Sequence, residues 1–103
     1  MNTRLKKIRC ILPYNDNGDR IKVELIDEPD SKSLSPSQSF RSDDSLQIDL
    51  SVPAHYQGAK ITILVEPNIL MGGEIVVSSP TNGEKTKMLQ KDGASYEITY
   101  EVA

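Results

Sequence analysis

The sequence has no tryptophan, one phenylalanine, one cysteine and one histidine in 103 residues. Each scarcity removes a class of structure or chemistry. A lone cysteine, Cys10, excludes an intrachain disulfide. Together Cys10 and His55 fall short of the tetrahedral Cys/His set that structural zinc takes. With so few aromatics, a core must be built from Ile, Leu and Val, helped by four tyrosines. No apolar run approaches the roughly 18 residues of a membrane-spanning helix. The start, with Arg4, Lys6, Lys7 and Arg9, has the charge of a signal peptide without its apolar stretch, because Ile8-Arg9-Cys10-Ile11-Leu12 runs directly into Pro13. The expectation is a chain without a membrane span, with the cytoplasm favoured by the lack of disulfide and signal peptide.

Charge excludes further classes. The formal net charge is -3 and the isoelectric point about 5.1, whereas nucleic-acid binders carry a basic face. The four basic residues near the N-terminus read as the solvated side of a first strand, and no nucleic-acid partner is expected.

What the sequence does have is a period of two. Ile8, Cys10 and Leu12 alternate with other residues, and so do Ile21, Val23 and Leu25. The cleanest run is Leu46, Ile48, Leu50 and Val52, separated by Gln47, Asp49 and Ser51. Ile61, Ile63 and Val65 follow, then Ile75-Val76-Val77, and finally Tyr96, Ile98, Tyr100 and Val102. Such alternation sends successive side chains to opposite faces of a strand, and β-branched and aromatic residues suit that setting.

Turn chemistry separates the runs. Asn15-Asp16-Asn17-Gly18, Asn82-Gly83 and Asp92-Gly93 each read as hairpin turns, because Asn, Asp and Gly tolerate positive φ. Pro29 and Pro53 end strands. A two-residue loop at Asp92-Gly93 sets Leu89 opposite Tyr96 and Lys87 opposite Ile98, giving an edge strand guarded by lysines. A two-residue loop at Asn82-Gly83 conflicts with the inward parity of Ile75 and Val77, so an irregularity is expected between Ser78 and Lys85. The serine-rich segment 30–45, nearly free of apolar residues, reads as a long mobile connection pinned by Leu34 and Phe40. No helix is expected beyond a turn near Asn68–Met71.

The expected architecture is one all-β domain over 1–103, a small two-sheet antiparallel β-sandwich of six to seven strands wound in the immunoglobulin-like manner. A small β-barrel is the alternative. The closing run Ser95-Tyr96-Glu97-Ile98-Thr99-Tyr100-Glu101-Val102-Ala103 is similar to the last strand of many bacterial immunoglobulin-like modules, pilus subunits among them. It covers nine of 103 residues and is strand grammar more than a motif. The cysteine pair common in pilus subunits is absent.

Chemistry-bearing groups are sparse. A Cys10–His55 dyad is the one nucleophile–base pair available, but Cys10 shares parity with inward Ile8. The carboxylates Asp16 and Asp19 beside Gly18 suggest a loop cation site, yet counting from Asp16 the alternate ligand positions hold Gly18 and Arg20. Asp43, Asp44 and Asp49 form a weaker set. Glu97 and Glu101 share a face about 13 Å apart at strand rise, too far for a glycosidase pair. Gly72-Gly73 lacks the lysine and helix of a phosphate loop. No catalytic, cofactor or metal residue is assigned. The expectation is a non-catalytic module acting by protein–protein contact, with a protein partner or self-assembly. The alternatives are a secreted or fimbrial-type adhesive subunit, whose gene would encode a leader ahead of Met1, and a small cysteine-dependent enzyme.

Overall fold

A computed structural model describes residues 2–53, 59–66, 69–71, 75–77 and 80–103. Strands form where side chains alternate. β1 spans Asn2–Leu12, β2 Ile21–Asp27, β3 Asp30–Leu34, β4 Ser45–Pro53 and β5 Ala59–Val65. The short β6, Ile69–Leu70, and β7, Ile75–Val77, precede β8, Lys85–Lys91, and β9, Ala94–Val102. There is no helix among the described residues.

The strands make two antiparallel sheets. One runs β4-β1-β9-β8, and the other β3-β2-β5 with β6 and β7 both on the far edge of β5. Those two share one lateral position, since β6 pairs with Leu64 and Val65 while β7 pairs with Ala59 to Ile61. The first sheet contributes Leu5, Ile8, Val52, Tyr96 and Ile98 to one buried cluster, and the second contributes Val23, Leu25, Ile61 and Ile63. Each aliphatic side chain fully removed from water there contributes about 1.5–3 kcal/mol. The radius of gyration, 12.9 Å, matches the roughly 13 Å of a folded chain this long.

Several expectations hold in detail. The β8–β9 hairpin pairs Leu89 with Tyr96 and Lys87 with Ile98, and β8 is an edge strand. Asp92 and Gly93 both adopt positive φ in its two-residue turn. Ile63 and Ile98 are wholly buried.

Others are corrected. Neither Asn15–Gly18 nor Asn82–Gly83 closes a hairpin between neighbouring strands. The first carries the chain from β1 in one sheet to β2 in the other, and the second precedes β8, which lies in the sheet opposite β7. The parity conflict at Asn82-Gly83 therefore dissolves, because β7 pairs with β5 and β8 with β9; Ser78 and Ser79, the start of the segment expected to be irregular, lie outside the described residues. Thr81 secures that passage: its amide donates to the Val102 carbonyl at 3.1 Å, and its hydroxyl accepts from the Val102 amide at 3.0 Å.

The segment 30–45 is not one mobile connection. Its first five residues are β3, paired from Asp27↔Asp30 to Val23↔Leu34 across a two-residue Glu28-Pro29 turn. Phe40 is fully buried. An edge strand needs few apolar residues, which is why Asp30-Ser31-Lys32-Ser33-Leu34 shows no alternation. This strand and β6, which replaces the turn expected near Met71, raise the count above six to seven.

β1 begins earlier than its alternation suggests. Thr3 and Leu5 face the core, then Ile8 and Cys10, so parity switches across Lys6-Lys7, where the register with β9 shifts. A second shift between Cys10 and Leu12 turns Leu12 out, 52% exposed, against its expected inward place.

Candidate functional site

The chemistry-bearing residues of the sequence separate into a buried cluster and an exposed charged face. The buried one forms where β1, β9 and two inter-sheet connections meet. Asp19, just before β2, is fully buried. Its Oδ2 accepts from the Tyr14 amide at 2.7 Å and from the Tyr96 hydroxyl at 2.6 Å. Its Oδ1 accepts from the Asn15 amide at 2.8 Å and the Asn15 side-chain nitrogen at 2.9 Å. Through its backbone Asp19 also exchanges two 2.8 Å hydrogen bonds with Phe40. One residue thus ties the β1–β2 connection, the β3–β4 connection and β9 together.

Local sequence makes this geometry possible. The Gly18 amide donates to the Asn15 carbonyl at 2.9 Å, closing a turn that delivers Asp19 inward. Gly18 has φ +97, and a Cβ there would lie 3.1 Å from the Phe40 carbonyl oxygen, so glycine is required twice over. On the other side Cys10 is stitched to the β3–β4 connection: its amide donates to Asp44 at 2.8 Å, and the Asp43 amide donates to the Cys10 carbonyl at 2.7 Å.

Electrostatics complete the picture. Burial, and then the hydrogen bond to Asp19, push the Tyr96 hydroxyl far above its ordinary value, so it stays protonated. Burial raises the Cys10 thiol, opposed by its hydrogen bond with Tyr96, and Asp19, Asp44 and Asp43 add to the rise. A buried thiol held protonated is a poor nucleophile. Asp19 faces four donors, so a cation there would meet N–H and O–H groups in place of free lone pairs. The pairing of Asp16 with Asp19 at a cation is thereby overturned: Asp16 is exposed and Asp19 is turned inward. Among the described residues no group of three His, Cys, Asp or Glu side chains is placed to hold a metal. His55 and Gly72-Gly73 lie outside the described residues, and with them the second half of the dyad.

The exposed cluster is the outer face of the first sheet. Arg4 lies opposite Glu101 and Arg9 opposite Glu97 on β9. Lys6 Nζ reaches Glu84 at 3.0 Å and Glu101 at 3.7 Å, Arg9 reaches Asp43 at 2.8 Å, and Arg4 reaches Asp49 at 3.7 Å. The hydrogen bond to Glu84 raises the Lys6 pKa, opposed by desolvation and assisted by Glu101. Glu97 and Glu101 thus serve a mixed-charge face, and the basic cluster near the N-terminus is matched by carboxylates. Elsewhere, an open cleft of about 310 Å³ between Arg20, Lys22, Ser35, Ser37 and Glu66 carries both signs of charge.

The chain matches no family model, no curated protein and no solved structure. Sequence reasoning singled out Cys10 and Asp19 but missed that they share one cluster through Tyr96. The legible signal was Tyr96 itself, an inward tyrosine whose hydroxyl needs a buried partner.

Proposed function

We propose that the chain is an immunoglobulin-like β-sandwich that works by contact with another polypeptide, without catalysis. The winding supports the fold reading. β1 and β4 are neighbours in one sheet, β2 and β5 in the other, and the links β1–β2 and β4–β5 both cross between sheets. Strands B, E, C and F of an immunoglobulin domain are arranged in that way. β9 then lies beside β1 where strand A would be, so the chain enters the pattern at a different point. A barrel is disfavoured, since among the described residues no ladder joins the sheets.

The observation that carries the contact reading is the edge of β4, which among the described residues pairs with β1 alone. It is nine residues long, and its inner side chains Leu46, Ile48 and Leu50 pack against the core while staying partly open. Edges of this kind receive strands from other chains. The test is capture: tagged protein incubated in an extract of its own source cells should retain a stoichiometric polypeptide, either another protein or untagged copies of itself. Recovery of neither overturns the reading. The enzyme alternative has its own check. A thiol reagent should modify Cys10 no faster than the protein unfolds; rapid modification of the native protein would revive it.

A further inference from the structure

Among the described residues the two sheets have four edges, and three are guarded by lysine, inward charge or brevity. β8 carries exposed Lys85, Lys87 and Lys91. β3 is short and sets Lys32 in register with buried Leu25, a charge on the core-facing row. β6 and β7 are two and three residues long. Lysines, inward charges, β-bulges and brevity are the usual means of preventing strand addition. β4 has no lysine and no inward charge and is not short: its single charge is Asp49, its one proline, Pro53, is the last residue, and its one irregularity is the extra residue at Ile48-Asp49 against β1.

The sequence of that edge reads almost the same in both directions. From Ser45 to Ser51 it is Ser-Leu-Gln-Ile-Asp-Leu-Ser, a palindrome about Ile48 apart from Gln47 and Asp49. Two identical strands paired antiparallel are related by a two-fold axis, which places each residue opposite its mirror position. With Ile48 on the axis, Ile48 meets Ile48 of the second copy, Leu46 meets Leu50, and Ser45 meets Ser51. The mismatch becomes complementary, because the Gln47 amide of each copy donates to the Asp49 carboxylate of the other. Moving the axis to Asp49 sets two carboxylates face to face, which cross-strand pairing disfavours.

We infer that β4 is a self-pairing edge: two copies of this chain join through antiparallel β4 strands centred on Ile48, making one sheet continuous across both. This rests on the contact reading above and names its partner. Opposite Lys6, β4 carries one extra residue relative to β1, at Ile48-Asp49, while its in-and-out alternation continues unbroken from Ser45 to Leu50. Both Gln47 and Asp49 are exposed in the single chain. A contact of one strand pair is small, and weak, concentration-dependent association follows.

The experiment is sedimentation equilibrium on the purified full chain from about 10 μM to 1 mM, where a contact of this size associates. The wild type should shift from monomer to dimer. Gln47→Asp sets carboxylates opposite each other twice per dimer and should weaken association about tenfold, while Gln47→Lys should strengthen it three- to tenfold. Position 47 is solvent-exposed, and matched thermal unfolding of the variants separates association from folding. Register is read independently: Gln47→Cys protein mixed with Asp49→Cys protein should oxidise to a mixed disulfide faster than either alone. A monomer at every concentration, or a dimer indifferent to both Gln47 variants, overturns the inference. Capture of a different protein by such a monomer would leave the contact reading standing, whereas no capture at all would remove both.

Discussion

Asp19 and Asp43 are carboxylates anchored beside the same cysteine, and both hold partners at hydrogen-bond distance. Asp19 is fully buried and takes four side-chain or backbone donors. Asp43 has a 76% exposed side chain and takes one, the Arg9 guanidinium, at 2.8 Å. The shorter list belongs to the formal ion pair, yet the neutral donors around Asp19 matter far more. Water competes for Asp43 and screens its charge, and an exposed pair contributes about 0–1 kcal/mol. Asp19 itself is shut away from water, so without it the buried Tyr96 hydroxyl would be stranded at about 1–3 kcal/mol, and the part-buried Tyr14 and Asn15 donors would lose their partner at a smaller cost each. Burial, more than charge, sets the worth of a polar contact here.

The sharpest way to break that contrast is to remove the buried partner. Asp19→Ala should cost about 3–5 kcal/mol in urea unfolding, near the top of the range for single substitutions. Against a total of about 5–15 kcal/mol for a small domain, much of the fold is at stake. A loss under about 1 kcal/mol would show that the four donors find substitutes, and the contrast would fail.

Next in size is the tyrosine. Tyr96→Phe keeps the ring and deletes one bond to a carboxylate, an expected loss of about 1.5–3 kcal/mol. It also changes the alkaline limb of stability. The folded state holds the Tyr96 proton far above the ordinary value of 10.0, and burial raises Tyr100 as well. Above that value the unfolded chain releases protons that the folded chain keeps, so the tyrosine contribution to stability is intact below about pH 10 and falls as pH rises. Tyr96, whose proton is held far above that value, contributes a slope approaching about 1.4 kcal/mol per pH unit. Cys10, whose ordinary value is 9.0, starts the decline earlier. In Tyr96→Phe one group's slope should vanish between pH 10 and 11; an unchanged slope would mean that the hydroxyl ionises freely in the folded protein.

The alternating residues told which segments are strands but not which sheet each joins. Asn82-Gly83 and Asp92-Gly93 have nearly the same chemistry and the same left-handed backbone, with φ of 53 and 103 against 49 and 86. One leads across between sheets and the other closes a hairpin. Positive φ states that the chain reverses; where it goes is decided by whether the flanking rows can share one face, as Leu89 and Tyr96 do. β3 stayed hidden because an exposed edge needs no apolar row, and Leu5 because the shift at Lys6-Lys7 breaks the period of two. Cys10 and Tyr96 could be read as inward neighbours. Asp19 could not, since a short loop rich in Asn and Asp gives no sign of which carboxylate turns inside.

The smallest effect completes the contrast, and it tests the reason more than the residue. Asp19→Asn and Asp43→Asn make the same change, one oxygen to one amide nitrogen, in nearly the same volume. At Asp19 the new N–H₂ must point at existing donors, whichever way the amide turns, so a loss of about 2 kcal/mol or more is expected. At Asp43 the backbone sits at φ 70, which asparagine tolerates better than most residues, and only the screened attraction to Arg9 is lost. The expected change is within about 0.5 kcal/mol of zero and should shrink further in high salt. The two unfolding curves, taken at one protein concentration, therefore separate hydrogen-bond satisfaction from charge. If Asp43→Asn proved as costly as Asp19→Asn, the exposed face would be holding the fold, and the ranking by burial would have to be reversed.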